Sequence, residues 1–266
     1  MRGDVVVVTI NHRLNMMGFT HFGDMGHNQF ESSGTIGMQD IVHALEWVQN
    51  NIEQFGGDPN RVMIFGESGG GRKVATLLGM PSAKGLFHRA VIESGATLRL
   101  PDRERANYLA EQVLEELDLT KTNLPQIQQI PLNQIMAAYH AVVARNTSTD
   151  AGGTFAPTMD GVVLPYHPFW PSASPVNPEI PVIVGANRTE MTYFADDAAF
   201  SLDETGMHQR VAEIVGPDNL EAVVNVYRQQ NPGASSSEIF FLISSDSRYV
   251  MQSITIAERR AALNAG

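Results

Sequence analysis

The sequence predicts an α/β protein with a mainly parallel sheet flanked by helices. Three observations predict it. Short β-branched or apolar runs recur along the chain. Segments of helical period separate them. Gly- or Asn-containing turns follow three of the runs, where sites form in parallel sheets.

Val5–Ile10 ("VVVVTI") opens the series as a continuous β-branched run, the pattern of a strand buried on both faces. A polar, glycine-rich loop follows over residues 21–35. Ile41, Ala44, Leu45, Val48, Ile52 and Phe55 then share one helical face, and Gly56 and Gly57 end that helix. Arg61–Phe65 is the second strand, with a helix expected from Ser68 to Leu78. "HRAVIESG" is the third strand, ending near Ser94, and Pro181–Asn187 the fourth. Leu109–Leu119 and Ile135–Val143 are helical patterns inside a helical region over about 103–145. Residues 201–265 read as mainly helical. With no internal repeat or low-complexity linker, residues 1–266 form one domain.

Composition narrows function. Eighteen Lys and Arg face 29 Asp and Glu, a formal charge of −11. That balance gives no electrostatic footprint for nucleic acid or anionic membrane. No cysteine is present, which excludes disulfides, thiolate metal sites and Cys nucleophiles. The longest early apolar run is far short of the roughly 20 residues that span a bilayer. The opening "MRGD" lacks a signal-peptide layout, so the expectation is a soluble protein, cytoplasmic ahead of secreted, with compartment otherwise open. Sequons occur at Asn146 and Asn187, and neither is assigned a glycan.

The chemistry centres on "IFGESGGGRKV", Ile64–Val74. Gly66–Gly70 fits G-x-S-x-G, in which a serine sits on a sharp strand-to-helix turn and its hydroxyl enters the site. The residues two before and two after it must be small, because strand and helix pass closely there. The helix N-terminus offers the Gly69 N–H to an oxyanion. A glycine-rich connector with an inert serine is the competing reading. A phosphate loop is disfavoured, since the G-x-x-x-x-G-K-[ST] spacing is missing and Val74 follows Lys73.

"GDVVVVTINHRLNMMGF", the long block through "GGDPNRVMIFGESGGG", "GLFHRAVIESG" and "PVIVGANRTEMTYF" together resemble the type-B carboxylesterase family, which has the α/β-hydrolase fold. The resemblance runs from Gly3 to about Arg260 and is weakest after Pro101. It implies Ser68 as nucleophile and Glu190, in the family's G-x-N-x-x-E, as triad acid. It implies Ser94 as a supporting residue of that carboxylate, and Glu67 as a non-catalytic neighbour of the nucleophile. Gly69 departs from the family's common Ala and adds backbone freedom at the helix start. The resemblance also implies a small-molecule ester as substrate, with no metal or cofactor required.

The base is not identified. His208, the only histidine after Glu190, sits in an ordinary helix start, and His88 falls at the wrong sheet end. His12, His21, His27, His43, His140 and His167 lack the position too. The family's catalytic histidine lies well beyond the acid, and its glycine-rich oxyanion loop precedes the first strand. The expectation is therefore a central part of an esterase, nearly inactive as given, with two exposed sheet edges. A cholinesterase-like adhesion module is the alternative, disfavoured by the presence of Ser68 and Glu190. Peptidase or thioesterase activity would use the same machinery. Phe155, Phe169, Trp170 and Met191 are possible pocket residues, with core packing their commoner fate.

Overall fold

A computed structural model describes residues 4–146 and 154–263. The last residues of the predicted C-terminal helical stretch lie outside this set.

Three parallel strands form one sheet in the order β1 (Met63–Glu67), β2 (Arg89–Glu93), β3 (Val182–Gly185). The register sets Phe65 beside Val91 and Val91 beside Ile183, so these three share one face. Ile64, Ala90 and Val182 share the other, followed by Gly66, Ile92 and Val184. Central β2 is the most buried, with Ala90 and Ile92 sealed in the core.

Helices α1 (Asn15–Phe19) and α2 (Ile36–Asn51) precede the sheet. Helix α3 (Gly69–Leu77) starts directly behind β1 and packs on β1 and β2. Helices α4 (Arg103–Glu116) and α5 (Leu132–Arg145) pair with each other in the embedded helical region. Asp102 caps α4 by accepting the Arg105 N–H at 2.9 Å. Then come α6 (Glu204–Val215), α7 (Leu220–Gln230) and α8 (Ser236–Ser245), which enclose a small second core around Met207, Val211, Ile239 and Phe241. One π-helical turn, Asp246–Val250, joins α8 to α9 (Met251–Ala262), and α9 lies against β3.

Two expectations need correction. Val5–Ile10 forms no β-ladder, and Val5 and Val7 are exposed. A β-branched run supplies strand propensity but not a neighbour, and a groove of about 680 Å³ separates this segment from β1. The sheet thus has three strands, and one of its faces is open: Phe65 is 59% and Ile183 70% exposed. Phe55 also leaves the buried face predicted for it. The α-helix tightens to 3₁₀ over Ile52–Phe55, which shifts the phase, and the ring rests 5.8 Å from exposed Trp47. The stop at Gly56 has the expected left-handed backbone, φ 81°.

Candidate active site

Ser68 joins β1 to α3 with φ 50° and ψ −115°. Few non-glycine residues adopt a positive φ, because Cβ crowds the neighbouring carbonyl. The surroundings impose it. The Ser68 N–H donates to Glu93 O at 2.8 Å, and Arg72 N–H donates back to Ser68 O at 3.0 Å. A Cβ on Gly66 would lie 2.5 Å from the Gly70 carbonyl carbon, so strand and helix do cross closely here. The small-residue requirement is one-sided, however: a Cβ on Gly70 meets nothing within 4 Å.

The turn after β2 repeats the device. Ser94 is buried with φ 50°, and its N–H donates to Gly185 O at 2.8 Å. Its hydroxyl donates to Glu190 Oε1, which also accepts the Asn187 N–H at 2.7 Å and Asn187 Nδ2 at 3.3 Å. Glu190 opens a short 3₁₀ turn after β3. The N–H of the next residue, Met191, donates at 3.1 Å to the hydroxyl of Ser245, fully buried at the end of α8. Ser68, Ser94 and Glu190 therefore stand at the carboxyl ends of three adjacent strands, where open parallel sheets place their sites.

Glu67 is exposed, and its side chain makes no hydrogen bond or ion pair among the described residues. Asp160 caps a turn by accepting the Val162, Val163 and Leu164 N–H groups, and Asp196 pairs with Arg210. All eight histidines lie within the described residues, and none hydrogen-bonds Ser68 or Glu190. His208 faces Glu204 and Glu221 in the second helical unit. His88 accepts the Val62 N–H at 3.3 Å, at the amino end of β2. His12 has both ring nitrogens buried and unbonded. Burial first, then Lys73, lower its pKa, and Asp40 acts the other way.

Phe155 and Phe169 belong to the main core, and Met191 packs on the second one. Trp170 lies between Arg99 and Arg259, at 5.3 and 4.9 Å. Both sequons are engaged: buried Asn146 gives its amide to Gln112 Oε1 and Val142 O, and Asn187 gives its amide to Glu190.

Sequence reasoning missed four contributors. Asn187 lies within the G-x-N-x-x-E pattern, which does not itself show that it donates twice to Glu190. Ser245 carries no local signal, since it lies 54 positions from its partner. On Gly71 a Cβ would sit 2.9 Å from Glu93 O, and on Gly95 2.4 Å from Ser68 O, so each permits the close approach of β2's turn to the elbow.

A serine on a strained strand–helix turn, with a carboxylate held two strands away at the same end of the sheet, is an arrangement that serine hydrolases use. The carboxylesterase family model matches residues 1–261, and the chain belongs to that family of carboxylic ester hydrolases. It is 33% identical over 227 residues to the para-nitrobenzyl esterase of Bacillus subtilis (strain 168), covering 85% of this chain and 45% of that protein. It is 34% identical to liver carboxylesterase 1 of Oryctolagus cuniculus, covering 87% and 42%. The Geobacillus stearothermophilus carboxylesterase EST55 superposes with a TM-score of 0.80 at 32% identity, covering 99% of this chain and 54% of that one. The chain spans about half the length of these relatives. Among the described residues, no helix is long and apolar enough to cross a membrane.

Proposed function

We propose that this chain carries the nucleophile and acid of a carboxylic ester hydrolase that works through an acyl-enzyme. Ser68 Oγ attacks the ester carbonyl while an imidazole takes its proton. The Gly69 N–H receives the oxyanion. The C–O bond to the alcohol breaks as the imidazolium protonates the leaving oxygen. Water, deprotonated by the same imidazole, then releases the acid and frees Ser68.

The observation that carries this reading is the environment of Glu190. Three donors converge on Oε1, from Ser94 and twice from Asn187. Oε2 accepts no hydrogen bond among the described residues, which leaves it to an imidazole N–H. No histidine of this sequence fills that place, so the base is added in the test.

The experiment is hydrolysis of para-nitrophenyl acetate by the 266-residue chain, with and without added imidazole. Imidazole should stimulate release beyond its solution rate. Ser68→Ala should remove that stimulation, and Glu190→Gln should lower it by about tenfold or more, the scale of losing an orienting carboxylate. Equal imidazole-dependent rates for wild type and Ser68→Ala would overturn the proposal.

A further inference from the structure

Lys73 is one of only three lysines in the chain, and Lys84 and Lys121 are both exposed. Lys73 instead turns back along the first turn of α3, and its Nζ donates to Gly69 O at 3.2 Å. The ammonium lies 5.8 Å from the Phe19 ring centroid and pairs with no carboxylate among the described residues. Its placement is electrostatically unfavourable. It sits near the positive end of a helix, where cations are disfavoured. Adjacent Arg72, also half-buried, is a second cation without an ion pair among the described residues. Such an arrangement invites a reason for its presence.

The position of Gly69 supplies one. Three consecutive glycines, Gly69–Gly71, open α3, the least restrained backbone a helix start can have. A Cβ on Gly69 would lie 3.7 Å from Lys73 Nζ, an ordinary contact, so the ammonium flanks the side where a side chain would stand. The same charge lies one peptide from the Gly69 N–H, which faces the oxyanion in the reaction described above.

We propose that Lys73 is a positioning residue for the oxyanion donor: its ammonium clamps the Gly69 peptide and adds positive potential where negative charge develops. This rests on the ester-hydrolase reading for its catalytic consequence, but the clamp itself does not. The groups facing Lys73 are Arg72 from its own helix and His12, with Asp40 of α2 beyond His12. Burial and then Arg72 lower the Lys73 pKa, so the charge is lost at a lower pH than on an exposed lysine.

Two measurements test this. The first is imidazole-dependent acylation of Ser68 by para-nitrophenyl acetate. Lys73→Met should slow it about tenfold, less than loss of a direct oxyanion donor, and Lys73→Arg should stay within about threefold of wild type. The wild-type rate should decline at alkaline pH as Lys73 deprotonates, and Lys73→Arg should lack that limb because guanidinium keeps its proton. In a double-mutant cycle, Gly69→Ala should shrink the cost of Lys73→Met, since alanine supplies part of the restraint. An unchanged rate in Lys73→Met, or an additive cycle, overturns the catalytic role.

The second measurement is NMR on the same chain. Reductive methylation gives three lysine signals, with that of Lys73 assigned by its loss in Lys73→Arg. It should titrate below the other two, and the backbone order parameters of Gly69 and Gly70 should fall in Lys73→Met. A wild type without Ser68-dependent turnover would refute the hydrolase reading, while the NMR would still decide the clamp. Unchanged order parameters at Gly69 and Gly70 would overturn it.

Discussion

The hydroxyl of Ser94 donates to Glu190 Oε1 across 96 positions of sequence. A residue at the end of β2 thereby fixes a carboxylate at the end of β3, and the strained backbone of Ser94 aims the hydroxyl there. Ser94→Ala keeps the strain and removes the donor. It should lower imidazole-dependent acylation of Ser68 by about tenfold, the scale of a hydrogen bond to a charged group. Ser94→Gly relieves the strain without restoring activity, so its rate should match Ser94→Ala while its urea midpoint rises.

The glycines around the elbow should separate sharply. Gly66→Ala and Gly95→Ala drive a Cβ into backbone at 2.5 and 2.4 Å, which only a main-chain shift can relieve. Each should cost about 3 kcal/mol or more in urea unfolding. Gly70→Ala meets open space inside a helix and should stabilise by about 0.5–1 kcal/mol.

These contrasts show what was legible in the sequence. The turn at Ser68 and the strand-end place of Glu190 could be read because each is a local pattern. The one-sided demand on Gly66 could not, since it depends on which atoms face each other across the turn. Val5–Ile10 misled because propensity does not provide a ladder partner. Phe55 misled because one 3₁₀ turn rephases a helical face. Ser245 was out of reach because nothing in "LISSDS" points to a loop so far upstream.

Arg260 of α9 is buried and donates to the carbonyls of Asn177, Pro178 and Ile180, just before β3. Arg260→Met keeps the stem but strands these acceptors. It should destabilise the chain by about 3 kcal/mol in denaturant unfolding. Because α9 packs on β3, amide exchange should quicken over Val182–Gly185 first.

Asp24 offers a pH test. The hydrogen bond from Arg103 chiefly holds its pKa at about 2, below the ordinary 3.8. A carboxylate with a depressed folded pKa stabilises fully above its unfolded pKa and loses that contribution as pH falls through the folded value. Asp24→Asn should thus be less stable than wild type at pH 6, with the gap closing between about pH 4 and pH 2. Arg103 is largely exposed, so the gap should stay below about 1 kcal/mol. Thermal midpoints across that range provide the check.

The bonds from Ser68 N–H to Glu93 O and from Ser94 N–H to Gly185 O are made by main chain alone. They depend on the backbone at Ser68 and Ser94, φ 50° at both, so substitution at exposed strand positions leaves the spacing of Ser68 and Glu190 intact. Exposed strand residues such as Phe65 and Ile183 can change without moving Ser68 relative to Glu190, whereas Gly66 cannot. A single inserted residue between Glu93 and Gly95, or between Gly185 and Asn187, breaks the linkage at once. The site is therefore as vulnerable to changes in chain length as to changes in chemistry, and natural variation should be empty of indels at those two turns.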